Sequence, residues 1–190
     1  MDALIQRAGP CKLKMDGERD LFLTLARAIV FQQLHGKAAQ TIFDRTAALF
    51  PRSEVFTAQN ILRASEDKLR SAGLSGNKQL ALRDLAGRVR DGSLPTMEEL
   101  AGLDNEEIIR QLIQVRGIGR WTVEMLLIFR LGRPDVLPVD DFGVRKGFML
   151  VQGHEAMPTP KELKAHGEIW APWRTVASWY LWRANEIQWP

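Results

Sequence analysis

Two adjacent carboxylates, Asp140 and Asp141, are the residues of this sequence best suited to chemistry, and they lie in the segment LPVDDFGVRK. A carboxylate can stabilise positive charge that develops during a reaction, and it can orient or deprotonate an attacking water. The pair lacks the neighbouring His and further carboxylate ligands of a typical metal site. The sequence therefore indicates acid-base or electrostatic chemistry at this position, with no metal.

The segment VRGIGRWT contains a second candidate site, a turn with glycines at 117 and 119. Glycine allows a positive φ and lets another molecule approach the backbone closely. The helix expected after the turn directs N–H groups towards it, and such helix ends attract anions such as phosphate. Arg116 and Arg120 add positive charge on both sides. An ordinary helix connection with a glycine cap gives the same pattern, so the turn alone does not decide between the two.

The composition narrows the class of protein. The chain has 190 residues and is 45% hydrophobic, enough for one compact folded unit. The 26 basic and 23 acidic residues give a net charge of +3, too small a value to identify a nucleic-acid partner. A single cysteine, Cys11, excludes an internal disulfide and a four-cysteine iron–sulfur cluster.

The location of the protein follows from what the sequence lacks. The amino terminus has no apolar core of a secretion signal, and no run reaches the roughly 18 apolar residues that a membrane span needs. We therefore expect a soluble intracellular protein with no membrane contact, in the cytoplasm or nucleoid if the source is bacterial.

Apolar residues recur at helical spacing through the whole chain. Helices are expected at about residues 19–34, 37–49, 76–89 and 120–131. No segment alternates between apolar and polar residues as a strand would. The predicted fold class is all-α, and the nearly all-apolar helix at 120–131 is expected to be central to a core.

The sequence QQLH interrupts the pattern between the first two of these helices and places Leu34 between Gln33 and His35. A hydrophobic contact that closes the helix end is the simpler explanation for Leu34. His35 has no visible partners for metal binding or proton transfer.

The last helix carries Trp182 on the same face as Ser178 and Asn185, opposite an apolar face that includes Trp173 and Tyr180. An indole on a polar face suits stacking against an electron-poor, positively charged ring. Three other tryptophans are expected to pack in the core: Trp170, Trp173 and Trp179.

These motifs together resemble a known family. VRGIGRWT, an apolar helix and LPVDD, with Asp141 twenty positions after Trp121, resemble the signature of the helix-hairpin-helix (HhH-GPD) DNA glycosylase superfamily. Trp121, the paired aspartates, and WAPWR followed nine residues later by Trp182 resemble its alkylpurine branch, the 3-methyladenine DNA glycosylase II type. The resemblance covers about residues 22 to 182.

The family's fold gives an expectation for domain organisation. The resemblance implies one catalytic unit, residues 1–190, with two helical lobes. One lobe spans 22–133 with the hairpin, the other combines 1–21 with 134–190, and the active cleft would lie between them.

The resemblance also implies an activity and a set of site residues. The activity is monofunctional hydrolysis of the N-glycosidic bond of alkylated purines in double-stranded DNA, which starts base excision repair. Asp141 would be catalytic, and the base pocket would comprise Trp121, Trp182 and Met125. The DNA-binding residues would be Gln33, Leu34, His35, Arg116, Gly117, Gly119, Arg120 and Thr122.

Several further expectations come from the family. Leu34 would enter the minor groove and fill the gap left by the flipped base. Lyase activity is not expected, because Trp121 stands where bifunctional relatives carry a lysine. No cofactor would be required, although a structural Na⁺ or K⁺ ion could bind the backbone carbonyls of Ile113, Val115 and Ile118. The protein would act as a monomer, with its lesion range open among 3-methyladenine, 7-methylguanine, ethenoadenine and hypoxanthine.

Two other functions stay open. A non-catalytic helix-hairpin-helix DNA-binding module would use the same glycines and arginines, but it gives no reason for Asp141 or Trp182. An all-helical interaction protein with a chance glycine turn is the third possibility.

Asp140 has two simpler uses, as a helix N-cap or as the partner of Arg145.

Overall fold

The computed structural model describes residues 1–15, 20–51 and 56–187, and over these residues the chain is helical with no strand. The predicted all-α class is confirmed. The helices are α1 Asp2–Ala8, α2 Leu21–Phe31, α3 Gly36–Ala48, α4 Ala58–Arg63, α5 Glu66–Ser71, α6 Gly76–Asp91, α7 Met97–Ala101, α8 Asn105–Leu112, α9 Arg120–Phe129, α10 Phe142–Gln152, α11 Pro160–Gly167 and α12 Arg174–Ala184. A single 3-10 turn, Glu168–Trp170, precedes α12. Among these helices, none has the length and apolarity needed to cross a bilayer.

The chain divides into two compact units. Unit 1 comprises Met1–Gly17 and Glu124–Pro190, and unit 2 comprises Glu18–Val123. The division therefore falls inside α9, whereas the lobes expected from the resemblance meet at residues 133 and 134.

Unit 2 is built on α2 and α6, which pack against each other. Asp20 caps α2, because its carboxylate accepts the Leu23 N–H at 3.0 Å. The apolar stripe of α2 is buried, with Leu25 and Ile29 at its centre, and Leu82 on α6 is fully buried as well. This unit carries the hairpin turn and the QQLH segment.

Unit 1 is built on α10 and α12, with α1 packed on α12. Val144, Phe148 and Leu181 are buried together in its core. A Cβ added to Gly147 would lie 1.9 Å from the carbonyl oxygen of Leu181, so the two helices meet backbone to backbone. This contact brings the end of α12 close to the start of α10, where Asp141 lies.

Helix α9 contributes buried residues to the core, as its sequence predicts. Val123, Leu127 and Ile128 are fully buried, and Leu126 is nearly so. Glu124, the one acidic residue of the helix, is also buried.

Candidate functional site

Asp141 caps the amino terminus of α10. Its Oδ1 accepts the N–H of Val144 at 2.8 Å, and the N-terminal end of a helix favours a negative charge. Asp140 is therefore not the N-cap, which was one of the two simpler uses left open for it by the sequence. Asp140 is exposed, and Arg145 donates its Nε to the carbonyl of Pro158 at 2.9 Å rather than pairing with Asp140.

Trp182 holds the same carboxylate oxygen from α12. Its indole Nε1–H donates to Asp141 Oδ1 at 2.8 Å, and its ring stacks on Phe129 with centroids 5.8 Å apart. Two N–H donors therefore fix the position of the Asp141 side chain. The expected polar face around Trp182 is corrected, because Ser178 is fully buried and Trp182 itself packs against the unit 1 core.

Gly143 makes this contact possible. A Cβ at this position would lie 2.9 Å from Trp182 Cδ1 and 3.2 Å from Asp141 Oδ1. Asn185 closes the arrangement by donating its side-chain amide to the Gly143 carbonyl at 2.9 Å. Gly143 was not among the site residues predicted from the sequence. Its signal was a glycine in the first turn of a helix, a residue that weakens helices and so needs a reason.

The loop before Asp141 is attached to the start of α12. Arg174 makes a two-pronged ion pair with Asp135, with N–O distances of 2.6 and 2.7 Å. These hydrogen bonds hold the pKa of the Asp135 carboxyl below its usual range. The Thr175 hydroxyl donates to the Arg133 carbonyl at 2.6 Å and accepts the Val136 N–H at 3.0 Å. The start of the segment that leads to Asp141 is therefore fixed to α12 within unit 1.

In the hairpin turn of unit 2, Gly117 adopts the positive φ that glycine allows, whereas Gly119 does not. Gly117 has φ +80°, and a Cβ there would also meet Ala81 at 3.4 Å. The side-chain amide of Gln32 donates to the Gly117 carbonyl at 2.7 Å. The backbone N–H of Arg116 donates to Asp84 on α6 at 2.8 Å. Gln32 was not among the predicted site residues, although it lies one position before the predicted DNA contacts.

The two arginines beside the turn differ in their surroundings. Arg120 forms a two-pronged ion pair with Glu106 on α8, with one N–O distance of 2.9 Å. This pair balances the charge of Arg120. Arg116 has an exposed side chain, so it is the better placed of the two to contact a phosphate. Thr122, in the first turn of α9, is half-buried.

The QQLH segment leaves α2 in an unusual backbone conformation. Gln33 has φ +58°, a left-handed value that non-glycine residues adopt rarely. Such outliers persist where the surroundings impose them, and they are common at functional sites. Leu34 is 38% exposed, and Gln33 and His35 are exposed beside it. Lys78 supports the segment by donating its ammonium to the Val30 carbonyl at 2.6 Å, and burial lowers the pKa of Lys78.

The predicted base-pocket residues other than Trp182 lie on α9. Trp121 is 48% exposed and Met125 is half-buried. The prediction that Trp173 packs in the core is wrong, because it is 61% exposed. Trp170 and Trp179 are half-buried as predicted, and they contact Phe148 and Tyr180 respectively.

The three carbonyls expected to bind a cation lie at the end of α8 and in the turn. Ile113 is the C-cap of α8, and Val115 already accepts the N–H of Ile118 at 3.0 Å. Helix carboxyl ends carry partial negative charge, but a monovalent cation at these carbonyls stays a prediction. In the described part of the chain, no group of three or more His, Cys, Asp or Glu residues could hold a metal ion.

Comparison with known proteins identifies the family of this chain. Over 170 residues the chain is 41% identical to DNA-3-methyladenine glycosylase 1 of Schizosaccharomyces pombe, covering 90% of this chain and 75% of that protein. A Schizosaccharomyces pombe 3-methyladenine DNA glycosylase solved with abasic DNA aligns at a TM-score of 0.84, with 38% identity over 98% of this chain and 91% of that one. A DNA-3-methyladenine glycosidase from Bacillus halodurans aligns at 0.86, with 37% identity over 96% and 82%. Residues 26–172 match the family of HhH-GPD superfamily base excision DNA repair proteins, and the chain belongs to that family.

Proposed function

We propose that the protein is a DNA-3-methyladenine glycosylase, which hydrolyses the N-glycosidic bond of alkylated purines in double-stranded DNA and so starts base excision repair. The observation that carries this proposal is the carboxylate of Asp141, held by the Val144 N–H and the Trp182 indole N–H. The names of the relatives agree with the proposal, because they describe 3-methyladenine glycosylases, one of them bound to abasic DNA. A non-catalytic DNA-binding module would need this carboxylate only as the N-cap of α10, and would not need the indole N–H of Trp182 on it.

The reaction breaks the bond between C1′ of deoxyribose and the purine nitrogen. The electron pair leaves with the base, so a cationic alkylated purine departs neutral and needs little acid assistance. The positive charge that develops on the sugar is stabilised by the carboxylate of Asp141. A water oxygen then forms the new bond to C1′, and its proton passes to Asp141 or to solvent. The products are free base and an abasic site.

Base and DNA recognition are assigned to the predicted residues. The indole of Trp182 and, by resemblance, Trp121 and Met125 contact the alkylated base, whose positive charge is attracted to aromatic faces. The residues assigned to the DNA are Gln33, Leu34, His35, Arg116, Gly117, Gly119, Arg120 and Thr122. Leu34 is the proposed minor-groove wedge, and its exposure supports that role. We assign an intracellular, monomeric state to the enzyme.

The direct test is release of base from methylated duplex DNA. We expect the purified protein to release free alkylpurine and to leave the DNA strand intact until alkali is added, because Trp121 replaces the lysine that a lyase needs. Chromatography of the released base and denaturing gels of the strand measure the two steps separately. Strand breakage without alkali would contradict the monofunctional assignment. Binding without release, over several lesions, would support the non-catalytic module.

A monovalent cation at the hairpin is a further part of the proposal. The carbonyls of Ile113, Val115 and Ile118 would hold it, and it would orient the turn towards a phosphate. We expect duplex binding at constant ionic strength to be weaker in choline chloride than in KCl or NaCl, because choline is too large to enter the site. Equal affinity in all three salts would contradict a role for the cation.

A further inference from the structure

A cavity of about 690 Å³ lies within unit 1, and of its lining residues only Trp182 has a role in the function proposed so far. Its walls combine aromatic rings with positive charge. The residues that give it this character are Lys12, Lys14, Phe129, Phe142, Lys146 and Trp182.

Three lysines supply most of the positive charge around the cavity. Lys12 and Lys14 come from the segment after α1, Lys146 comes from α10, and all three are exposed. Within residues 1–15, 20–51 and 56–187, none of the three lysines forms an ion pair. The remaining charges of the wall, Arg183 and Glu186, pair with each other. Ammonium groups around one cavity repel each other, and a bound anion would reduce that repulsion.

The cavity adjoins the candidate catalytic carboxylate. Trp182 and Gly143 both line it, and the Trp182 indole donates to Asp141 Oδ1 at 2.8 Å. Phe142 follows Asp141 in the chain and is 65% exposed, while Phe129 stacks on Trp182. Burial of such an exposed apolar ring against a binding partner is favourable. Aromatic faces interleaved with lysines are the surface that accommodates a single nucleic-acid strand.

We propose that this cavity binds the phosphates of the DNA strand that carries the damaged nucleotide, immediately beside that nucleotide, through Lys12, Lys14 and Lys146. The inference rests on the proposed function, since it places the sugar of the damaged nucleotide at Asp141. The ligand is a backbone phosphate of a DNA strand whose damaged nucleotide has already been flipped out of the duplex. The lysines hold the opened strand, while Asp141 acts on the sugar.

The test compares two double variants that remove the same charge. Lys12→Gln/Lys146→Gln removes two lysines of the cavity. Lys161→Gln/Lys164→Gln removes two exposed lysines of α11, in the same unit but outside the cavity. Both are measured for binding to a duplex that contains a tetrahydrofuran abasic analogue, and to the intact duplex of the same sequence, from 50 to 200 mM KCl.

We expect the slope of log K against log salt, which is negative, to become less steep by about two for the cavity variant on the abasic-analogue duplex. Each phosphate contact contributes about 0.9 to the magnitude of the slope. The α11 control should keep the wild-type slope. The change in slope should be smaller on the intact duplex, where no nucleotide is flipped out. Lys12→Arg/Lys146→Arg should retain the slope, because arginine also binds phosphate.

Two outcomes would overturn the proposal. An unchanged slope would show that the lysines do not contact phosphate. An equal loss on both duplexes would show a general backbone contact away from the damaged nucleotide. The assay reads binding alone, so its result stays separate from that of base release. A protein that releases no base but shows the selective loss of slope would refute the glycosylase activity and keep this site.

Discussion

Replacing Asp141 with Asn is expected to reduce the rate of base release about 10²–10⁴-fold, the usual contribution of a positioned acid-base group. The substitution removes the negative charge that stabilises the sugar cation. It keeps an oxygen that can accept the N–H groups of Val144 and Trp182. Single-turnover release of alkylpurine from methylated duplex DNA measures the rate, and binding to the abasic-analogue duplex should change little.

The choice of Asn matters because Asp141 is also a structural residue. Asn caps helices about as well as Asp, whereas Asp141→Ala would also lose the cap, at about 1 kcal/mol of stability. Asp141→Asn therefore separates catalysis from folding. Asp140→Asn is the matched control, since Asp140 is exposed and does not cap α10, and it should keep the wild-type rate. Equal release by wild type and Asp141→Asn would remove Asp141 from the mechanism and make Asp140 the next carboxylate to test.

Gly147→Ala is expected to destabilise the protein strongly, although it adds only one methyl group. The new Cβ would lie 1.9 Å from the Leu181 carbonyl oxygen and 2.6 Å from its carbon, and both atoms are backbone. Helices α10 and α12 would have to separate. We expect a cost of about 3 kcal/mol, the upper part of the range for overpacking. For a chain of this length that corresponds to a fall in Tm of about 6–12 °C, measured by circular dichroism.

Gly87→Ala provides the matched control for that experiment. Gly87 lies inside α6, and nothing is within 4 Å of the Cβ that alanine would add. Because alanine favours a helix interior over glycine, we expect stability to rise by about 0.5–1 kcal/mol. Similar Tm values for the two variants would show that α10 and α12 tolerate a wider spacing than the structure indicates.

The sequence predicts the fold well where apolar spacing is regular. Helix α9 is buried as its run of apolar residues requires, and the all-α class follows from the same periodicity. Of the two hairpin glycines, Gly117 adopts the positive φ that its type allows, and Gly119 does not.

Adjacent residues of one type are where sequence reasoning is weakest. Asp140 and Asp141 both fit the preference for an acidic N-cap, and only the backbone geometry selects Asp141. Spacing in α12 gives the relative directions of Trp173 and Trp182 but not which helices cover them. In the structure Trp173 is exposed, whereas Trp182 stacks on Phe129. Spacing within α12 could not predict this contact, because the two residues are 53 positions apart.

The bond between Gln32 and Gly117 connects positions 85 residues apart in unit 2. One end is the segment that precedes the proposed wedge, and the other is the turn proposed to bind phosphate. Because the side-chain amide of Gln32 joins these two segments, unit 2 holds the phosphate-binding turn and the wedge at a fixed distance from each other. The protein would thus inspect DNA in constant register, testing the base pair at one set distance from wherever the backbone is held.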